Sequence, residues 1–236
     1  LANVNTTGFK RGRAVFEDLL YQNVTQAGGA TSQNTESPTG LSTGTGVRVV
    51  ATEKNFTQGS AQQTDNALDV LIQGRGFFQV LQPDGTLAYS RDGSFKVDSE
   101  GRLVTASGFE IQPSLTIPSD AQSITIGLDG TVEATGEGQT APASLGTLQL
   151  ADFINPAGLQ PKGQNLYLET AASGSPQVAN PGLDGLGTLV QGSLEGSNVN
   201  VVEELVSMIE TQRAYEMNSK AIATSDQMLQ YLNNNL

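Results

Sequence analysis

The chain has no cysteine, no histidine and no tryptophan, and each absence excludes something. Without cysteine there are no disulfides, thiolate ligands or thiol nucleophiles. Without histidine the commonest general base and the commonest metal ligand are missing. Most hydrolase and zinc mechanisms are thereby excluded. Charge is scarce as well, at 15% of the 236 residues where ordinary domains carry about 25%. The balance is one-sided, with 24 acidic against 12 basic residues and a net charge of -12. Such a chain has no general attraction for phosphate backbones or anionic lipid, so neither nucleic acid nor a membrane surface is an expected partner. No apolar run approaches the roughly 20 residues of a membrane-spanning helix, and no membrane insertion is expected.

Carboxylates remain, and a glycosidase needs only two of them. Asp84, Asp92, Asp129 and Asp184 each stand directly before glycine, where a tight turn accounts for them without any catalytic role. No loop has the alternating acidic ligands of an EF-hand. The segment GRGFF from Gly74 lacks the third glycine and the following helix of a dinucleotide fingerprint. No catalytic, cofactor-binding or metal-binding residue is therefore expected, and no cofactor. A secreted enzyme working through two carboxylates survives only as a residual alternative.

What is present changes texture along the chain. Tyr21 to Gly46 is a stretch of small polar residues with too few apolar side chains to offset its own ordering entropy. It is either a flexible linker or a segment that neighbours order. From Leu68, short apolar and aromatic runs alternate with Asp84-Gly85, Asp92-Gly93, Glu100-Gly101, Ser107-Gly108 and Asp129-Gly130. These pairs supply the positive φ angles of hairpin turns. The middle of the chain reads as one mainly β domain of antiparallel hairpins ending near residue 180, and an open sheet, a sandwich and an open barrel all fit. A Gly- and Pro-rich bridge follows.

From Val199 to Leu232 there is no glycine or proline, and Val201, Met208, Tyr215, Ile222 and Leu229 recur every seven residues, with Leu205 beside them. That predicts one long C-terminal α-helix of about 50 Å carrying a heptad seam. Asn200 and Glu203 have the spacing of a capping box. The positions three beyond the seam are polar apart from Leu232, so the seam is narrow. It packs either on the β domain or, since so long a helix overhangs a domain of this size, on other chains or a further segment. The fold class is α+β overall: a mainly β middle domain with a long helix belonging to a terminal coiled-coil region.

Three stretches carry a resemblance. LANVNTTGFKR at residues 1–11 resembles the N-terminal signature of bacterial flagellar rod and hook axial proteins, with Asn3, Asn5, Gly8 and Phe9 as its marked positions. EGSNVNVVEELVSMIETQRAYEMNSKAIATSDQMLQ from Glu195, with Asn198 and Asn200, resembles their C-terminal helix, and IQGRGFFQV with YSRDGSFKVDSEGRLVTASGF resembles their β domain. The resemblance implies a helical homopolymer of this chain with itself, its terminal helices paired as a coiled coil around a central export channel. It implies as neighbours the proximal rod proteins, the hook protein and the surrounding basal-body rings. On this reading the chain begins at the exit of an N-terminal helix. Residues 1–20 leave that helix, 21–50 form an extended insertion, 51–190 the β domain, and 191–236 the linker and C-terminal helix. A long insertion with a single middle domain favours the distal-rod type of the family over a hook or proximal rod protein, and implies a rod crossing the periplasm, reached through the flagellar export apparatus.

Overall fold

A computed structural model of the chain describes residues 1–28, 30–32, 35–36, 38–136 and 141–234. Every strand pairing in it is antiparallel.

The described residues of the polar stretch pair within the chain. Gly12–Asp18 pairs with Val47–Lys54, Tyr21–Thr25 with Leu41–Gly44, and Ala30–Ser32 with Thr35–Glu36. Leu19 N–H donates to the Gly46 carbonyl at 3.0 Å, joining the first two ladders into one two-stranded ribbon. Cross-strand ion pairs, Arg13 with Glu53 at 2.9 Å and Arg48 with Glu17, brace its stem. Apolar side chains stay uncovered along it, among them Phe16, Leu20, Tyr21, Val24, Val47 and Val49. A lone two-stranded ribbon is marginal in water.

The β domain is built on a sheet in which Phe77–Leu81 is central. Leu87–Ser90 pairs along one edge of it, while Glu110–Gln112 and Leu150–Asp152 share the other. Side chains alternate between faces. Phe78, Val80 and Ala88 enter the main core with Val70, Ile72, Phe95 and Ile111. Phe77 and Tyr89 point the other way, into a smaller core with Phe153, Leu159 and Tyr167. Edge-to-face ring pairs fill both cores: Phe78 with Phe95 at 4.9 Å in the first, Tyr89 with Phe153 at 4.7 Å in the second. A three-stranded sheet, Ala121–Ile126, Thr131–Gly136 and Ala143–Thr147, flanks them.

The domain does not end near residue 180. Thr188–Gln191 pairs with Val70–Gln73 and Ser193–Glu195 with Ala61–Gln63, so the glycine-rich bridge is two closing strands. They turn at Gly192, which sits at φ 73°.

Gly85, Gly101, Gly108 and Gly130 take the positive φ angles that the turn pairs predict, at 80°, 80°, 83° and 86°, whereas Gly93 does not: it is required by its close approach to the Val70 carbonyl, 1.7 Å from where a Cβ would lie. Asp84 accepts from the Thr86 N–H and hydroxyl at 3.0 and 2.6 Å, Asp92 from Ser94 at 3.0 and 2.8 Å, and Asp129 from Thr131 at 3.1 and 2.7 Å. Each carboxylate is occupied in its own turn.

The C-terminal helix runs Val201–Asn234, starting two residues later than the glycine-free run begins. Asn200 is the reason: its Oδ1 accepts from the Val202 N–H at 3.0 Å, satisfying one of the helix's free first-turn donors. The capping box is half made, because Glu203 pairs with Arg11 at 2.8 Å. No described helix is long and apolar enough to cross a membrane.

Candidate functional site

The two ends of the chain, the ribbon and the β domain meet at one junction. The N-terminal residues make turns closed by Val4 N–H to the Leu1 carbonyl at 3.2 Å and Thr6 N–H to the Asn3 carbonyl at 3.3 Å. Asn3 and Asn5 are exposed in this turn, and the Asn3 side chain also accepts from the Thr6 hydroxyl at 3.4 Å. The segment then dives inward. Gly8 N–H donates to the Glu195 carbonyl at 2.7 Å, and Gly8 sits at φ 65° with the Arg91 backbone where a Cβ would go, only 2.8 Å away. Only glycine meets both demands without strain. Phe9 lies under the Lys54 ammonium, 4.8 Å from its ring centroid.

Lys10 is fully buried. Its Nζ donates to Glu195 Oε1 at 2.6 Å and to the Thr57 carbonyl at 2.8 Å. The same Oε1 accepts from the Gly59 N–H at 2.9 Å, and Arg91 Nε faces Glu195 Oε2 at 3.0 Å. Arg91, also buried, spends its other nitrogens on the Gly76 and Gly74 carbonyls at 2.7 and 2.8 Å. Burial pulls the Lys10 and Arg91 pKa values down, against the pull of Glu195 upward. Burial, with the Glu195 charge second, pushes the Tyr167 phenol up to about 12. Breaking such a buried pair from one side costs about 3–5 kcal/mol, because the abandoned charge stays out of water.

Three residues on, Asn198 repeats the pattern with neutral groups. Its Oδ1 accepts from the Arg11 N–H at 2.7 Å and its Nδ2 donates to the Asn55 carbonyl at 2.8 Å. Arg11 then reaches the first helical turn, 2.8 Å from Glu203 and 2.7 Å from Glu204. These pairs are partly exposed and each contributes little, about 0–1 kcal/mol.

Beyond that turn the helix stands clear. Val201, Leu205 and Met208 are 38%, 44% and 43% exposed, while Tyr215, Ile222 and Leu229 are 76%, 64% and 62% exposed. Leu1 joins Met208 and Tyr215 in lining an open groove. The seam residues are thus brought onto one stripe and left without cover among the described residues. On a straight helix a seven-residue repeat drifts by about 20° per heptad, so the stripe winds slowly around the axis. A second apolar line, Val202, Val206 and Ile209, is also exposed. Its i, i+4, i+7 spacing was a signal that the heptad reading passed over.

Comparison with known proteins follows the same two regions. Residues 71–134 match the family described as flagellar hook protein FlgE/F/G D1 domain. Residues 190–235, holding Glu195, Asn198 and the whole helix Val201–Asn234, match the flagellar basal body rod FlgEFG protein C-terminal family. The flagellar basal-body rod protein FlgG of Buchnera aphidicola (subsp. Acyrthosiphon pisum) is 58% identical over 232 residues, covering 98% of this chain and 89% of that protein. The FlgG proteins of Borreliella burgdorferi and Caulobacter vibrioides are 50% and 47% identical, covering 99% and 98% of this chain and 89% and 88% of theirs. The chain belongs to the flagellar basal-body rod protein family. It is a structural subunit of the flagellar rod, of the distal type, and its place is the basal body.

Of the residues the sequence marks, Asn198 ties the junction and Asn200 caps the helix, Gly8 and Phe9 pack at the junction, Asn3 and Asn5 are exposed, and the seam residues lie exposed along the helix. Lys10, Arg91 and Glu195, the most deeply placed polar residues of the junction, were not singled out by the sequence.

Proposed function

We propose that this rod subunit polymerises into a straight, rigid tube through heterologous contacts that do not close, the arrangement that gives an open filament. The observation that carries the reading is a 34-residue helix, about 50 Å long, whose apolar seam is uncovered along its whole length. In the tube the seam of Val201, Leu205, Met208, Tyr215, Ile222 and Leu229 buries against helices of the same assembly, which line a central export channel. The ribbon, spanning the 21–50 insertion, lies between neighbouring subunits and keeps the tube straight. Residues 1–11 lead into it, the strands between Ala61 and Glu195 form the outer β layer, and the helix Val201–Asn234 carries the chain back to the channel wall. Torque passes along the stacked subunits across the periplasm, from the proximal rod proteins below to the hook protein above, inside the surrounding rings. The subunit reaches this place through the flagellar export apparatus and performs no catalysis. The charge of -12 opposes association only over about 8 Å at physiological salt, so close apolar contacts prevail.

The test uses an epitope inserted at the exposed turn of Gly108, where nothing lies within 4 Å of an added Cβ. Basal bodies isolated from cells carrying the tagged gene should bind gold-labelled antibody along the rod between the rings. Label confined to the curved hook, or absent from purified basal bodies of motile cells, would overturn the reading.

A further inference from the structure

Glu195 is a buried side chain at which the base of the ribbon, the central sheet and the strand leading to the helix meet. It belongs to the last strand, Ser193–Glu195, six residues before the helix begins at Val201. Its Oε1 holds Lys10, two residues before the ribbon's outgoing strand, and the Gly59 N–H, five residues after the ribbon's returning strand. Its Oε2 faces Arg91, which follows strand Leu87–Ser90 of the central sheet and is fixed there by two carbonyls. The apolar contacts that could do this work are few. The ribbon reaches the domain through Phe56, edge-on to Phe77 and Tyr167 at 5.4 and 5.2 Å. The helix reaches the rest of the chain through Arg11 and the groove at Leu1.

We propose that Glu195 is a positioning residue: a buried joint that fixes the ribbon and the helix at set angles to the β domain, so that the subunit moves as one body. The inference concerns the free subunit and stands apart from the tube reading. The charge count gives it a specific signature. Two buried cations share one carboxylate, so the joint is asymmetric. Removing the Lys10 charge leaves a balanced Glu195 and Arg91 pair, and the domain keeps its closing strand. Removing the Glu195 charge leaves two buried cations with backbone carbonyls but without the carboxylate they share, which is the strongly destabilising case. Lys10 therefore holds the ribbon alone, whereas Glu195 holds ribbon and helix together.

The absence of cysteine makes the test direct, because introduced cysteines are the only spin-label sites. Labels at the exposed positions Gln22 on the ribbon, Gln212 on the helix, and Ser119 and Gln177 on the β domain report three distances by pulsed electron spin resonance: ribbon to domain, helix to domain, and a control within the domain. In Lys10→Met the ribbon-to-domain distribution should broaden while the helix-to-domain and control distributions keep their wild-type widths. In Glu195→Gln both interdomain distributions should broaden with the control unchanged, and Glu195→Asp, which keeps the charge, should restore the helix more than the glutamine does. Wild-type ribbon width in Lys10→Met would overturn the proposal. So would broadening of the control in step with the others, since that describes general destabilisation. If Glu195→Gln fails to fold, Lys10→Met and Glu195→Asp still decide the matter.

Discussion

Replacing Ile222 and Leu229 by alanine together separates folding from assembly. Both side chains lie on the free part of the helix, 64% and 62% exposed, so the subunit has little burial to lose and its own stability should change by less than about 0.5 kcal/mol. Full burial of such a side chain contributes about 1.5–3 kcal/mol. With some six-tenths of each surface still to be covered in the tube, the pair is worth about 2–4 kcal/mol per subunit added. At about 1.4 kcal/mol per tenfold change, the critical concentration for polymerisation should rise roughly 30- to 700-fold. Sedimentation of rod subunits over a concentration series reads that number, and a urea melt of the β domain serves as the control. An unchanged critical concentration would refute the reasoning about the seam. A large fall in the melt midpoint would show that these residues pack within the subunit.

Gly8→Ala should destabilise the junction, because a left-handed backbone costs about 1–2 kcal/mol and forcing a Cβ to within 2.8 Å of the Arg91 backbone adds about 1–3 kcal/mol; faster tryptic cleavage after Lys10 and Arg11 reads it. Asn200→Ala should cost about 1 kcal/mol, visible as faster amide exchange at Val202 with the β domain unaffected. Tyr89 and Tyr167, each pushed up to about 12 mainly by burial, should stay protonated in the folded domain well above pH 10. Because their folded values lie above the unfolded one, the stability they contribute is full below about pH 10 and is lost as pH rises toward 12, on the order of 2–3 kcal/mol for Tyr167. An ultraviolet titration showing all five tyrosines ionising together near pH 10 in the native protein would contradict this.

The hairpins and the helix were legible because their signals are local. Asp92 and Ser94, or Asp129 and Thr131, settle their turns within three residues, and a run without glycine or proline needs only its own hydrogen bonds to be helical. The ribbon was not legible as a ribbon. Its strands carry no clean alternation of apolar and polar residues, and each is ordered by a partner up to 42 residues away, as Gly12 is by Lys54. The closing strands were mistaken for a bridge for the same reason: Leu189 and Leu194 look like isolated apolar residues among glycines until they meet Ile72 and Gln62. Lys10 is followed by Arg11 and Arg13, and nothing local distinguishes the buried cation from its more exposed neighbours. Nothing near it in the sequence announces Glu195, which lies 185 residues downstream. The seam was legible as a pattern, and Tyr215, Ile222 and Leu229 stay exposed on the described helix.

The central claim is that uncovered helix and ribbon surfaces make a straight tube. It is tested most directly by electron microscopy of polymers grown from rod subunits, with and without residues 21–50. The account predicts straight tubes from the intact subunit, and curved or no tubes once the ribbon is shortened. Straight tubes of the same rigidity after the deletion would take the ribbon out of the account. Subunits that stay monomeric at every concentration, even when seeded with a neighbouring rod protein, would contradict the claim itself.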